Sequence, residues 1–253
     1  IPEGARDSRG KALVNLLDMQ GGEKIAAIIP IRGFVADKYL FFATENGTVK
    51  KTALDAYQNV RAAGIIAINV EDGDRLIGVE LTGGQDDLVL VTRKGMGIRF
   101  PETDARPMGR ATGGVRGISL EDGDVVEGVE VVHADAMLLT VTENGYGKRT
   151  AFADYRVQKR GGKGLIANDL TPKTGDLVTA LSVHAADAIM IVTRQGTMIR
   201  MPVDGVRVTG RSAQGVKLID LADGDVVMSA TPVEPEDEAA AEPPAASAGE
   251  EIP

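Results

Sequence analysis

Cysteine and tryptophan are absent from the 253 residues, and only 4% of the chain is aromatic. Without cysteine there is no disulfide, no thiolate metal ligand and no thiol nucleophile. Such a composition suits a reducing compartment, and a cytoplasmic location is expected. Long apolar runs are also missing. The longest, residues 177–192, is broken by His184 and Asp187, short of the roughly 20 unbroken apolar residues of a membrane helix. The first ten residues lack the basic-then-apolar pattern of a secretion signal. No window sustains a helical period. What is plentiful is glycine, with 31 residues, which points to many tight turns.

The formal charge of −9 conceals an uneven distribution. The last stretch, 233–253, holds Glu234, Glu236, Asp237, Glu238, Glu242, Glu250 and Glu251 and no Lys or Arg. The rest of the chain is close to neutral, so the placement of charge rather than its sum must indicate a partner. That stretch is mostly Ala, Glu and Pro. It has too little apolar surface to offset the entropy of ordering, and a disordered acidic tail is expected.

Comparison of the chain with itself is more informative. Four segments share one form, an apolar strand, Thr-x-x-Gly and a basic strand: LFFATENGTVKKT (40–52), LVLVTRKGMGIRF (88–100), LLTVTENGYGKRT (138–150) and IMIVTRQGTMIRM (189–201). Their turn glycines are Gly47, Gly95, Gly145 and Gly196, a beat of about fifty residues. Asn-Gly and Lys-Gly between apolar runs are hairpin signals. Acidic turns such as Glu71-Asp72-Gly73-Asp74 and Glu121-Asp122-Gly123-Asp124 keep the same beat. The first unit is expected to hold four strands near 24–29, 39–44, 48–54 and 65–70. Such units cannot bury both faces alone and must stack, which predicts an all-β, propeller-like arrangement of four-stranded blades with four complete units. Residues 1–17 are expected to end a preceding blade, 18–232 to form the blades, and 233–253 the tail. The out-of-phase ends suggest a piece of a longer chain or terminal strands that pair to close a ring.

No Ser/His/Asp constellation is present. His133 and His184 occupy the same place in successive units, which marks them as scaffold rather than as ligands or bases. The Asp-Gly-Asp turns lack the alternating carboxylates of a calcium loop and suit β-turns. Gly161-Gly162-Lys163-Gly164 lacks the spacing of a phosphate loop. Neither metal nor cofactor is expected.

The cations carry more. Four residues past each turn glycine stand Lys51, Arg99, Arg149 and Arg200. Alternation along a strand puts them on equivalent faces, and stacked blades would set them in a positive ring on one rim. A second set precedes each fourth strand: Arg61, Arg110 with Arg116, Lys159, Arg160 and Lys163, and Arg211 with Lys217. Singly, each cation also suits an exposed strand guarding against edge pairing. Recurrence at fixed phase favours a continuous anionic ligand. In Gln158-Lys159-Arg160-Gly161-Gly162-Lys163-Gly164, glycines allow a backbone nest around an oxyanion. Arg160 could grip two phosphate oxygens, and the lysines add point charges. Contacts of this kind position DNA without reading sequence.

At this cluster the chain resembles a known family. QKRGGKG is close to the box Gln-Arg-Arg-Gly-Gly-Lys-Gly that marks the C-terminal domain of DNA gyrase A subunits (type IIA topoisomerases), Lys159 being the one departure. RGKALVNLL (9–17), TENGTVKKT, MGRATGGVRGISLEDGD (108–124) and TENGYGKRT also look like segments of that domain. The resemblance implies a β-pinwheel that wraps double-stranded DNA on a basic rim and biases strand passage towards negative supercoiling. It implies as partners the gyrase B subunit together with the rest of the gyrase A subunit, with catalysis housed elsewhere. That family's disc usually has six blades, so the four units here imply a domain lacking about its first two. The family's box usually belongs to the first blade, whereas here it ends the third unit. The resemblance therefore carries the wrapping role onto Gln158–Gly164 as a site of the same chemistry rather than of the same position. The corresponding domain of topoisomerase IV A subunits is an alternative. A propeller scaffold for proteins is a further one, and the few aromatics argue against it.

Overall fold

The computed structural model describes residues 25–31, 33–59 and 64–233. Residues 1–17, Arg61 and the acidic stretch beyond Val233 lie outside the described residues.

Four β-hairpins form the centres of four antiparallel sheets. They are β1 (Tyr39–Thr44) with β2 (Thr48–Ala53), β4 (Asp87–Thr92) with β5 (Met96–Pro101), β8 (Met137–Thr142) with β9 (Tyr146–Ala151), and β12 (Ala188–Thr193) with β13 (Met198–Pro202). The Thr-x-x-Gly signature has a physical cause at each turn. Gly47, Gly95, Gly145 and Gly196 take φ of 81, 81, 79 and 89°, a left-handed conformation that a side chain disfavours. The Thr hydroxyl accepts the backbone N–H four residues on, at 3.2 Å for Thr44, 3.1 Å for Thr92, 3.3 Å for Thr142 and 3.1 Å for Thr193.

Each hairpin is flanked by chain that comes later in sequence. Inner partners are β3 (Leu76–Thr82), β7 (Val126–Val131), β11 (Leu177–Val183) and β15 (Val227–Val233). Outer partners are the short strands β6 (Val115–Arg116), β10 (Leu165–Ile166) and β14 (Val216–Lys217). The sheets run β3-β1-β2-β6, β10-β5-β4-β7, β11-β8-β9-β14 and β13-β12-β15. The propeller-like all-β reading therefore holds, with three four-stranded blades and a fourth of three strands among the described residues. The strand assignment within a unit needs correction. β1 and β2 stand where expected, but residues 25–29 and 65–70 form no strand. The outer strand of each blade is delivered by the unit that follows, because the chain crosses back over the preceding hairpin before turning inward. Blades are thus interlocked by backbone pairing as well as by packing.

Alternate residues of one strand serve opposite interfaces, as a period of two requires. Leu88 and Leu90 join Phe41, Val49, Ile98 and Phe100 between the first two blades. Val89 and Val91 face the other way, onto Leu138, Phe152 and Tyr155 of the third. Leu139 and Val141 meet Ile189, Ile191 and Val203 of the fourth. Each such buried side chain stabilises by about 1.5–3 kcal/mol. The inner strands β3, β7, β11 and β15 contact one another in succession, and all four border an axial cavity of about 480 Å³. The outer strands lie on the far edge of each sheet.

Candidate nucleic-acid interface

The cations four residues past the turn glycines are not a rim. Lys51 is 3% exposed; its Nζ lies 2.8 Å from Glu102 Oε2 and donates to the Gly84 carbonyl at 3.2 Å. Glu102 is wholly buried and also accepts from the Thr82 hydroxyl and the Asp86 N–H. Arg99 binds Asp87 at 2.7 Å and donates to the Phe152 carbonyl at 2.9 Å. Arg149, buried, donates to the carbonyls of Val206 and Asp204 at 2.8 and 2.9 Å. Arg200 is exposed, but it is not without a partner. Alternation does give these residues equivalent faces. For the first three, that face is covered by the 3-10 turn that follows the next hairpin. They fasten that turn and present no charge outward.

The second set divides. Arg110, Arg160 and Arg211 hold the same station and do the same thing. Each guanidinium donates to a carbonyl on the preceding outer segment: Arg110 to Ile66 at 3.1 Å, Arg160 to Arg116 at 2.9 Å and Arg211 to Ile166 at 2.8 Å. Arg160 donates further to the Asp104 carbonyl at 2.9 Å. These arginines latch successive outer loops together, so Arg160 is not free to fork onto a phosphate. Gly164 has a packing duty of its own. At φ 80°, a Cβ there would stand 2.4 Å from the Gly97 carbonyl oxygen, so only glycine lets the loop close on β5. Gln158 buries its amide nitrogen without a hydrogen-bond partner. By contrast Arg116, Lys159, Lys163 and Lys217 are exposed, Lys217 pairing with Asp220 at 2.5 Å.

Sequence reasoning missed the most regular outward series. Arg106, Arg156 and Arg207 stand eleven residues past Gly95, Gly145 and Gly196, and all three are exposed. Among the described residues their side chains have no hydrogen-bond or ion-pair partner. The signal was there at a fixed phase, with Gln58 in the first unit. Each arginine opens the crossing segment that runs along the preceding hairpin. Met108 N–H donates to the Lys51 carbonyl at 2.8 Å, Gln158 to Arg99 at 2.8 Å and Thr209 to Arg149 at 2.9 Å. Arg106 with Arg116 therefore marks the outer edge of the first blade, Arg156 with Lys159 and Lys163 the second, and Arg207 with Lys217 the third.

Two carboxylates lie on the axis, away from that edge. Glu80 and Glu130 border the axial cavity. Burial lifts the Glu80 carboxyl to about 7, and burial together with the neighbouring Glu80 lifts Glu130 to about 8. The Asp-Gly-Asp turns are structural: the second aspartate of each accepts a backbone N–H from the preceding hairpin turn, Asp74 from Asn46 at 2.9 Å, Asp124 from Lys94 at 3.0 Å and Asp225 from Gln195 at 3.0 Å. His133 and His184 stand on adjacent loops with ring centroids 6.4 Å apart. Among the described residues no three His, Asp or Glu side chains are placed to hold a metal ion. A line of exposed cations along successive outer edges suits a long polyanion lying across several blades.

The chain matches the family described as DNA gyrase C-terminal domain, beta-propeller, over residues 1–32, 38–82, 86–133, 136–184 and 187–234. It is 46% identical over 244 residues to the A subunit of DNA gyrase from Deinococcus deserti, covering 94% of this chain and 30% of that protein. The chain thus spans less than a third of the length of that relative. Among solved structures it is similar to a DNA gyrase A C-terminal domain, with a TM-score of 0.80, 28% identity, and 90% of this chain and 75% of that one covered. It is equally similar to the C-terminal domain of a DNA topoisomerase IV, with a TM-score of 0.82, 26% identity, and 89% and 71% covered.

Proposed function

The chain belongs to the DNA gyrase C-terminal domain family, and from that premise we propose that it binds duplex DNA without reading sequence and wraps it along the outer edges of its blades. In the whole enzyme, acting in the cytoplasm with the B subunit of gyrase and the remainder of its own, this wrapping biases strand passage towards negative supercoiling. The observation that carries the reading is the series Arg106, Arg156 and Arg207: exposed, unpaired among the described residues, and at one phase on three consecutive edges. Arg116, Lys159, Lys163 and Lys217 extend the same edges. Guanidinium and ammonium groups on a curved line recognise phosphates by position and need no base edge.

Bending 20–30 base pairs by 40–90° costs about 1–6 kcal/mol. One blade's contacts do not offset that cost and several do, so binding requires the stacked blades. If each of these exposed outer-edge cations neutralises one phosphate, log K against log salt falls with a slope of about −6. Titrating fluorescent duplex with the protein across salt concentrations measures it. Absence of binding in dilute buffer would end the proposal. The similarity to a topoisomerase IV C-terminal domain supports a second reading, in which the same edge binds duplex as part of a topoisomerase IV A subunit without wrapping it. Ligation of nicked circles in the protein's presence separates the two, since only a wrapped path shifts the linking number.

A further inference from the structure

Three residues past the turn glycine the units alternate: Lys50, Ile98, Lys148, Ile199. Lys50 and Lys148 are wholly buried, and both reach the underside of an outer loop. Lys50 Nζ donates to the Ala67 carbonyl at 2.7 Å and to the Arg110 carbonyl. Lys148 Nζ donates to the Gly210 carbonyl at 3.0 Å and to the Arg211 carbonyl. Neither lysine forms a salt bridge among the described residues. Lys50 is faced by the Arg110 guanidinium, by the Phe42 ring with its centroid 5.6 Å away, and by Tyr57, whose hydroxyl shares the Ala67 carbonyl. Lys148 is faced by the Arg211 guanidinium and, more weakly, by Asp169 and Asp154. Each is thus a buried cation solvated by carbonyls and repelled by the arginine of the loop it holds.

We propose that Lys50 and Lys148 are positioning residues for the outer loops of the first and third blades, and that duplex binding draws a proton onto each of them. The inference rests on the DNA reading above. Lys50 holds the segment that carries Arg106 and Arg116, and Lys148 the segment that carries Arg207 and Lys217, so a phosphate bound there adds negative charge to the loop that each ammonium supports. Both ammonium groups are buried, and a buried charge feels an added neighbour more strongly than one in solvent. The free protein is poised for this, since burial and the adjacent arginine hold both lysines down at about 8. Phosphate favours the charged form, so affinity is highest below that value and falls as pH rises through it. By linkage, each lysine contributes about a tenfold loss of affinity between pH 7 and 9. The second blade is the internal control. Ile98 lies under its Lys159–Lys163 loop, and contacts there add no such dependence.

The test is calorimetric titration of the protein with duplex in two buffers of different ionisation enthalpy. At pH 8 each lysine is half protonated before binding, so total uptake should be about one proton per domain, rising at pH 9 and nearly vanishing at pH 7. Lys148→Met should remove about half of it and Lys50→Met the rest. Glu130→Gln, which removes an axial group titrating in the same range, should leave it intact. The wild-type pH course stands even if a lysine variant fails to fold. Binding heat without proton uptake at pH 8 overturns the inference, as does uptake of undiminished size in both folded lysine variants. Absence of binding at every pH, read by titration of fluorescent duplex, overturns the DNA reading itself.

Discussion

Two series of cations keep time with the repeat, one four and one eleven residues past the turn glycine. Lys51, Arg99 and Arg149 of the first series meet Glu102, Asp87 and the carbonyls of Val206 and Asp204 inside the blades. Arg106, Arg156 and Arg207 of the second stand exposed on the outer edges. The chain crosses from one hairpin to the next directly over the first series, and the second series rides on that crossing. Periodicity reports that a position matters to the unit. Burial decides whether it serves the fold or a ligand.

The sharpest way to separate the series is to remove one member of each. Lys51→Met leaves Glu102 charged and enclosed, and unfolding in urea should show a loss of about 3–5 kcal/mol. Adding Glu102→Gln should return part of that. Should Lys51→Met weaken DNA binding in a protein of unchanged stability, the assignment of the inner series to the fold fails.

The axis offers a contrast with the edge that pH can expose. Glu130 and Glu80 are raised above an ordinary carboxyl, so the folded protein holds protons that the unfolded chain releases. Their contribution is complete below about pH 4.5 and is lost as pH rises through about 8. Glu130→Gln should flatten this fall, by on the order of 2–4 kcal/mol between pH 5 and 9. Urea midpoints across that range provide the check, and a fall of undiminished size in the variant would contradict the account.

Smaller effects are expected on the edge itself. Arg160→Ala removes charge-assisted bonds to the Arg116 and Asp104 carbonyls and should cost about 2–3 kcal/mol. Arg156→Ala, four residues away, should change stability by less than about 0.5 kcal/mol. Paired thermal melts distinguish a latch from a free side chain. Equal losses would place both arginines in the same role.

The hairpins were legible in the sequence because their signals are local. Thr, glycine and apolar alternation act within a few residues, and β1 and β2 fall where they were expected. The exchange of outer strands was not legible, because pairing of Val115 with Val49 or Leu165 with Gly97 depends on a partner more than sixty residues away. The same distance hid the fate of the inner cations, since Lys51 is enclosed by Glu102 of the next unit. The QKRGGKG cluster lies on the outer edge of the second blade. Its roles divide differently from the expectation, with Arg160 and Gly164 closing the loop while Lys159 and Lys163 remain outside.

The central claim is that the outward arginines trace the path of the duplex, and salt dependence tests it most directly. Replacing Arg106, Arg156 and Arg207 together by alanine should leave the fold intact and flatten the slope of log K against log salt by about 3. A triple variant that is folded yet retains the wild-type slope would contradict it.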